Sequence, residues 1–533
     1  MLLCEKTCLP RTEFPEQTGV SSRAVKEFME DLLRNEVEIH SIMILRHGKV
    51  AFETFRKPLG PDLPHTMYSV SKSVTSTAVG FAVSEGLLGL DTRVIDLFPE
   101  YRPAKRDENL ERLTVYHLLT MTSGKDMSPI APKSKDRWIR DFFEAKWKAA
   151  PGESWFYVNE NTFMLSAILN RLTGMPVVDY LMPRLFEPLG FGRKPFWETD
   201  GAGMEAGGWG LYLTTEELAK IMLCYARGGV FNGRQVIPAE WAREAVKKQV
   251  DNSSNDGLDS VAGYGYCFWR NSCPGTYRAD GMFSQFGIVF EDLDAQLIVT
   301  ACEISEQKTR NIIWKYFPAA FFDRSAGYPG EPDCPIPELP ALPELEAAPR
   351  SPLEAQIGGK IIRFKSPPLP GLIGFPVSML PLPVIYMSAE KTGQIAEVRL
   401  RFDEAGCEMT WREGLYKNTV CCGMDGIARK SPIRLGKLKL TACCTAAWSN
   451  ENTLSIWVRP LETVCQRRLE FVFEENIVRL LPASSPETGK ILEHLSSGVN
   501  RYLKTPAAAK AAKTLMAKGE KLVEPALTGV LGK

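Results

Sequence analysis

The order of apolar and polar positions predicts two differently built halves. Over residues 21–34, Val25, Phe28, Met29, Leu32 and Leu33 fall at the i, i+3, i+4 spacing of one helix face, with Ser21 or Ser22 as the cap. Two strand-like runs follow, 41–46 and 49–55, joined at His47-Gly48 as a hairpin. A long helix is predicted from 69 to 86, ended by Gly86, and shorter ones over 114–121, 160–173, 177–186, 214–228 and 238–247. Strand character returns over 276–304, with apolar runs at 287–290 and 296–302. Strands at both ends with helices between them predict an α/β (α+β) domain over 1–325, whose sheet combines the two ends of the unit beside an all-helical part.

A different pattern follows. Residues 326–352 hold eight prolines, which remove backbone donors and favour extended chain, so this stretch reads as a semi-rigid linker. Residues 353–505 show short alternating segments at 360–364, 396–402, 408–411, 437–443, 453–459, 468–473 and 477–481, separated by polar turns. They predict a smaller antiparallel β domain, a barrel or sandwich. The remaining 506–533 is an Ala- and Lys-rich stretch, read as a solvated tail.

Composition narrows the function classes. Lys plus Arg and Asp plus Glu both number 64, so the formal charge is zero and no nucleic-acid partner is expected. Hydrophobic residues at 44% are enough for filled cores and exclude general disorder. The 13 cysteines include the adjacent pairs Cys421–Cys422 and Cys443–Cys444 but no CxxC, which fits neither a disulfide scaffold nor a zinc site. They read as small apolar residues in a reducing compartment. The apolar run at Met1-Leu2-Leu3 is too short for a signal peptide, and no window reaches 18 uninterrupted apolar residues. A cytoplasmic protein with no membrane partner is expected, of open oligomeric state.

Chemistry concentrates at one place. GxSxG, Walker A and GxGxxG patterns are absent, and the five histidines have no HxH or HxxxH spacing, so neither a metal nor a histidine triad is expected. Ser69-Val70-Ser71-Lys72 opens the long helix. Residues i and i+3 share a helix face, so the Lys72 amine can sit beside the Ser69 hydroxyl. The helix N-terminus favours negative charge on the nucleophile, and desolvation favours a neutral amine able to take its proton. The spacing by itself also fits a capped helix with an exposed lysine.

The surrounding blocks discriminate. Tyr68-Ser69-Val70-Ser71-Lys72, Leu118-Leu119-Thr120-Met121-Thr122-Ser123-Gly124 after His117, Tyr157-Val158-Asn159 after Pro151-Gly152-Glu153, and Gly207-Gly208-Trp209-Gly210 occur in that order. Over residues 20–305 the chain resembles the serine β-lactamase-like family: class C β-lactamases, penicillin-binding carboxypeptidases and related esterases and amide hydrolases. The resemblance implies a β-lactamase/transpeptidase-like fold with a mixed antiparallel sheet and no cofactor. It also implies site roles. Ser69 would be acylated and Lys72 would be its base. Tyr157 would protonate the leaving group, and Asn159 would bind Lys72 or the substrate amide. Ala279-Asp280-Gly281 stands where the family has its third motif. Gly281 would allow close approach, and the Met282 N–H would join that of Ser69 as the oxyanion hole. Ala279 replaces the basic residue that holds a carboxylate in the family, which argues against β-lactams and cell-wall peptides. The expected function is a serine hydrolase acting on a small-molecule ester or amide. Acyl transfer through the same acyl-enzyme and non-catalytic ligand binding are the alternatives. Trp448 and 451–454 echo the lipocalin-like barrels of some relatives.

Overall fold

A computed structural model of the chain describes residues 5–125, 137–323, 335–364, 378–380, 395–491 and 524–532. They form two compact units, 1–341 and 342–533.

The first unit is built on a six-stranded antiparallel sheet in the order Lys49–Phe55, Ile39–Arg46, Ala295–Ala301, Gln285–Phe290, Thr276–Gly281, Trp269–Arg270. The early hairpin pairs with the last strand, Ile42 opposite Val299 and Ile44 opposite Leu297, so the two ends of the unit share one sheet. The first predicted helix is Ser22–Arg34, and the Ser21 side chain accepts its cap bond from the Ala24 N–H at 3.2 Å. Val25, Phe28, Met29 and Leu32 are at most 1% exposed and pack on Ile44, Phe290 and Val299 of the sheet. Burying each such side chain contributes roughly 1.5–3 kcal/mol. A helix not predicted from the sequence, Glu306–Tyr316, covers the same face through Ile312 and Ile313.

On the other face, helix Thr215–Ala226 is capped by Thr214 and Glu217, each side chain binding the other's backbone N–H. Its Leu218 and Met222 press on Gly287, where a Cβ would collide with Met222. Helices Val70–Ser84 and Asn159–Thr173 pack together in the helical part. Val70–Ser84 is buried from residue 70 to 82, so its serines and threonines must find partners inside the protein.

In the second unit, ten strands run in the order Tyr416–Gly423, Gly406–Glu413, Ile395–Phe402, Ile361–Phe364, Leu527–Leu531, Ile477–Ser485, Gln466–Glu474, Thr453–Pro460, Leu438–Asn450, Arg429–Leu435, and Gly423 pairs with Thr445 to close a barrel. Alternate residues such as Val398, Leu400, Met409 and Trp411 are buried while their neighbours are not. The structure departs from the sequence reading at the tail. Residues 506–523 lie outside the described residues, but Leu527–Leu531 is a strand between Ile361–Phe364 and Ile477–Ser485. Within the linker, 326–334 lie outside the described residues, and 335–350 carry neither helix nor strand. Most described cysteines are buried free thiols, and no described helix is long and apolar enough to cross a membrane.

Candidate active site

The site forms where helix Val70–Ser84 begins. Tyr68, just before it, has φ 44, a left-handed conformation that costs a non-glycine residue on the order of 1 kcal/mol. The surroundings hold it there. The Met67 N–H donates to the Leu211 carbonyl at 2.8 Å, and the Ser71 hydroxyl accepts from the Leu211 N–H at 3.2 Å. Ser73 donates to the Cys267 carbonyl and Thr75 to the Gly207 carbonyl, both at 2.7 Å. The polar face of this buried helix is thereby bonded to the backbone of the site walls, and Ser69 stands at its N-cap.

Ser69 and Lys72 meet as the i, i+3 spacing requires. Lys72 is 1% exposed, and its Nζ lies 2.9 Å from Ser69 Oγ, 2.8 Å from Asn159 Oδ1 and 2.7 Å from the Gly208 carbonyl oxygen. The two carbonyl oxygens can only accept, so they take two N–H bonds. A neutral amine has two N–H groups and one lone pair, which leaves the lone pair for the Ser69 hydroxyl. Burial agrees with this count: it pushes the Lys72 pKa down to about 7, only partly opposed by the thiol of Cys267 and the carboxylates of Glu160 and Asp280.

Tyr157 completes the group. Its ring centroid is 4.9 Å from Lys72 Nζ. Burial holds the phenol well above its ordinary range, so it stays protonated at neutral pH. Trp155, Tyr264 and Trp269 surround it, with ring centroids 6.1, 6.4 and 5.5 Å away. Asn159 is the first residue of helix Asn159–Thr173, so the Tyr157–Asn159 spacing sets one group in the approach to the helix and the other at its start.

Gly281 ends its strand against the segment before Ser69: a Cβ there would strike the Met67 carbonyl oxygen. Met282 follows in the turn to Gln285, half-buried, while Ala279 is fully buried and carries no charge to the site. Arg278 is also buried. It is bonded to Asp280, to the Asp259 carbonyl at 3.0 Å and to Asn271 Oδ1 at 2.5 Å. Asp280 pairs with Arg278 and, at 3.3 Å, with Arg310. Among the described residues no group of His, Cys, Asp or Glu side chains is arranged to hold a metal ion.

Sequence reasoning did not single out the Gly208 carbonyl as a partner of Lys72, since a backbone acceptor leaves no side-chain signal. It also passed over Cys267, whose φ is 63 and whose thiol donates to the Leu119 carbonyl at 3.5 Å.

The chain is 27% identical over 174 residues to Esterase EstB of Burkholderia gladioli, covering 28% of this chain and 44% of the relative. It is 26% identical over 226 residues to the 6-aminohexanoate-dimer hydrolase of Paenarthrobacter ureafaciens, covering 39% and 56%. The chain thus spans about half the length of these relatives. A penicillin-binding protein homolog from Caulobacter crescentus aligns at a TM-score of 0.46 and 17% identity, over 56% of this chain and 99% of that one. The Beta-lactamase family model matches residues 22–302, more than half of the 533-residue chain, and the chain belongs to that family.

Proposed function

We propose that the protein is a serine hydrolase that cleaves a small ester or amide through an acyl-enzyme on Ser69. The observation that carries this reading is the Lys72 amine, bonded to two carbonyl acceptors and set 2.9 Å from the Ser69 hydroxyl. In the proposed cycle, Ser69 Oγ attacks the substrate carbonyl carbon while its proton passes to Lys72. The oxyanion is held by the N–H groups of Ser69 and Met282. On collapse the bond to the leaving group breaks. Tyr157 gives that group its proton and regains one from Lys72. Water then attacks the acyl carbon by the reverse proton path and frees Ser69. Asn159 keeps the amine in place.

Two features support an ester or amide over a β-lactam. Ala279 offers no cation for a carboxylate, and the neighbouring Arg278 is engaged by Asp280, Asn271 and backbone carbonyls. The decisive experiment is intact-mass spectrometry after incubation with p-nitrophenyl esters of graded acyl length, and with nitrocefin, beside Ser69→Ala. A Ser69-dependent acyl adduct or burst from the esters, and none from nitrocefin, is expected. Turnover retained in Ser69→Ala would overturn the nucleophile assignment. An adduct that decays faster with added alcohol, giving a new ester, would make the enzyme an acyltransferase.

A further inference from the structure

The connection between strands Thr276–Gly281 and Gln285–Phe290 is three residues long, Met282-Phe283-Ser284, with Gly281 paired to Gln285. Phe283 and Ser284 have φ 64 and 67. Two successive non-glycine residues in the left-handed region cost on the order of 1–2 kcal/mol each, so something outside the turn must hold them.

Several hydrogen bonds hold the turn, among them that of the Glu303 N–H to the Phe283 carbonyl at 3.3 Å. The Phe283 N–H donates to Glu306 Oε1 at 3.2 Å. On the opposite edge of the same peptide unit, the Met282 carbonyl accepts from Gln285 Nε2 at 3.2 Å. Gln285 Nε2 also reaches the carbonyls of Phe283, at 3.0 Å, and Ala301, at 2.7 Å, which ties the turn to the sheet. Ser284 Oγ donates to Thr309 Oγ1 at 3.1 Å, one helical turn beyond Glu306. The turn also faces the nucleophile: Gly281 abuts the Met67 carbonyl, and the Phe283 ring lies 5.3 Å from that of Tyr68.

We propose that Glu306, at the start of helix Glu306–Tyr316, is a positioning residue that fixes the Met282–Phe283 peptide and thereby braces the adjoining Gly281–Met282 peptide, whose N–H is the oxyanion donor to the carbonyl attacked by Ser69. This rests on the reading of Ser69 as nucleophile and Met282 as oxyanion donor. Glu306 acts through this turn, and its charge also bears on the Tyr157 phenol. Its carboxylate accepts the Phe283 N–H, and with Gln285 on the opposite edge it holds the peptide whose orientation keeps φ at Phe283 positive. Rotation of that peptide would relieve the strain and free ψ at Met282, so that the adjoining Gly281–Met282 peptide, which carries the Met282 N–H, would be held from the strand side alone. A misdirected oxyanion donor weakens transition-state stabilisation and leaves ground-state binding largely intact.

The test compares Glu306→Ala, Glu306→Gln and Glu306→Ala/Ser284→Gly with the full-length wild type. The readouts are the rate of Ser69 labelling by a fluorophosphonate probe, kcat and KM on the best p-nitrophenyl ester, and hydrogen exchange of the peptide spanning 281–285. Glu306→Ala should lower labelling and kcat by about 10²-fold with KM little changed. It should also speed exchange at the turn. Glu306→Gln, whose amide oxygen can accept the same N–H, should stay within about fivefold of wild type. Glycine at 284 removes part of the strain and should restore part of the lost rate. Labelling and exchange at wild-type values in Glu306→Ala would overturn the inference and leave the Ser69 reading standing. So would loss of kcat in Glu306→Gln as large as in Glu306→Ala, since removing only the charge would then account for the effect. A wild-type protein that takes no label at Ser69 would overturn the catalytic reading and this inference with it.

Discussion

Lys72 carries the site's balance between stability and chemistry. Its amine is buried without a carboxylate in contact, and its pKa falls to about 7 from an ordinary 10.5. The sign follows from proton counting. Between those values the unfolded chain binds a proton that the native state does not, so native stability rises with pH across that window, and below pH 7 the native state bears the full cost of the buried charge. The unfolding free energy of the wild type relative to Lys72→Met should therefore move in favour of the wild type between pH 7 and 9, as read by urea titrations at each pH. The proposed acylation should follow the same group, with kcat/KM rising through about pH 7. A flat profile from pH 6 to 8 would remove Lys72 as the base. Tyr157→Phe should lose roughly 10²–10⁴-fold in kcat, because a phenol that stays protonated can deliver a proton only through its hydroxyl. Ser69 and Lys72 were legible in the sequence because their i, i+3 spacing puts both on one helix face, whereas Tyr157 and Asn159 were singled out only through the resemblance of the Tyr157-Val158-Asn159 block to the family's second motif. Glu306 was not, since its bond to Phe283 joins residues that only the sheet and the last helix of the unit bring together.

Short periodic segments were the most legible elements. Ser22–Arg34, Lys49–Phe55 and Asn159–Thr173 match the ranges predicted for them almost to the residue, the first because its apolar stripe is its buried face, while Asn159–Thr173 is buried all round from 160 to 169. Two elements were missed for different reasons. Glu306–Tyr316 has a narrow apolar stripe, Thr309, Ile312 and Ile313, among charged residues, and Pro318 follows it closely. Its i, i+3, i+4 signal was present but short. Leu527–Leu531 sits at the end of an Ala- and Lys-rich stretch whose composition masks its alternation, with Leu527 buried, Thr528 exposed and Gly529 buried. Element packing also depends on a residue that periodicity ignores. Gly287 allows helix Thr215–Ala226 to approach the sheet, and a methyl group there would meet the Met222 side chain. Gly287→Ala should cost about 1–3 kcal/mol by urea denaturation. Adding Met222→Ala should recover part of that cost, because the shorter side chain vacates the space. A double variant that loses the full sum of both single changes would place the strain elsewhere.

At the scale of the whole chain, the two units differ in how closure is achieved. The first joins its own beginning and end in one sheet, and its core is completed by the helix that follows and by Phe317, Phe321 and Leu339 beyond it. The second needs the last described strand. Leu527–Leu531 bridges Ile361–Phe364 and Ile477–Ser485, and just before it Glu524 forms an ion pair with Arg467, whose guanidinium is 2% exposed. Removing residues 524–533 would open two sheet edges and leave a buried guanidinium without its carboxylate, costs of several kcal/mol that the remaining barrel contacts have to absorb. Among the described residues, Arg467 would keep the Ser378 carbonyl and the Ser484 hydroxyl as its hydrogen-bond partners. A chain ended at residue 523 should therefore lose the barrel's cooperative melting transition in calorimetry and become protease-sensitive within 353–491. Because the family match and the Ser69 cluster lie wholly in the first unit, that unit's transition and its labelling by a fluorophosphonate should persist. Glu524→Gln separates the two contributions: it keeps the strand and removes the charge, and should lower the barrel transition without abolishing it. Simultaneous loss of both transitions in the shortened chain would show that the first unit depends on the barrel for its stability.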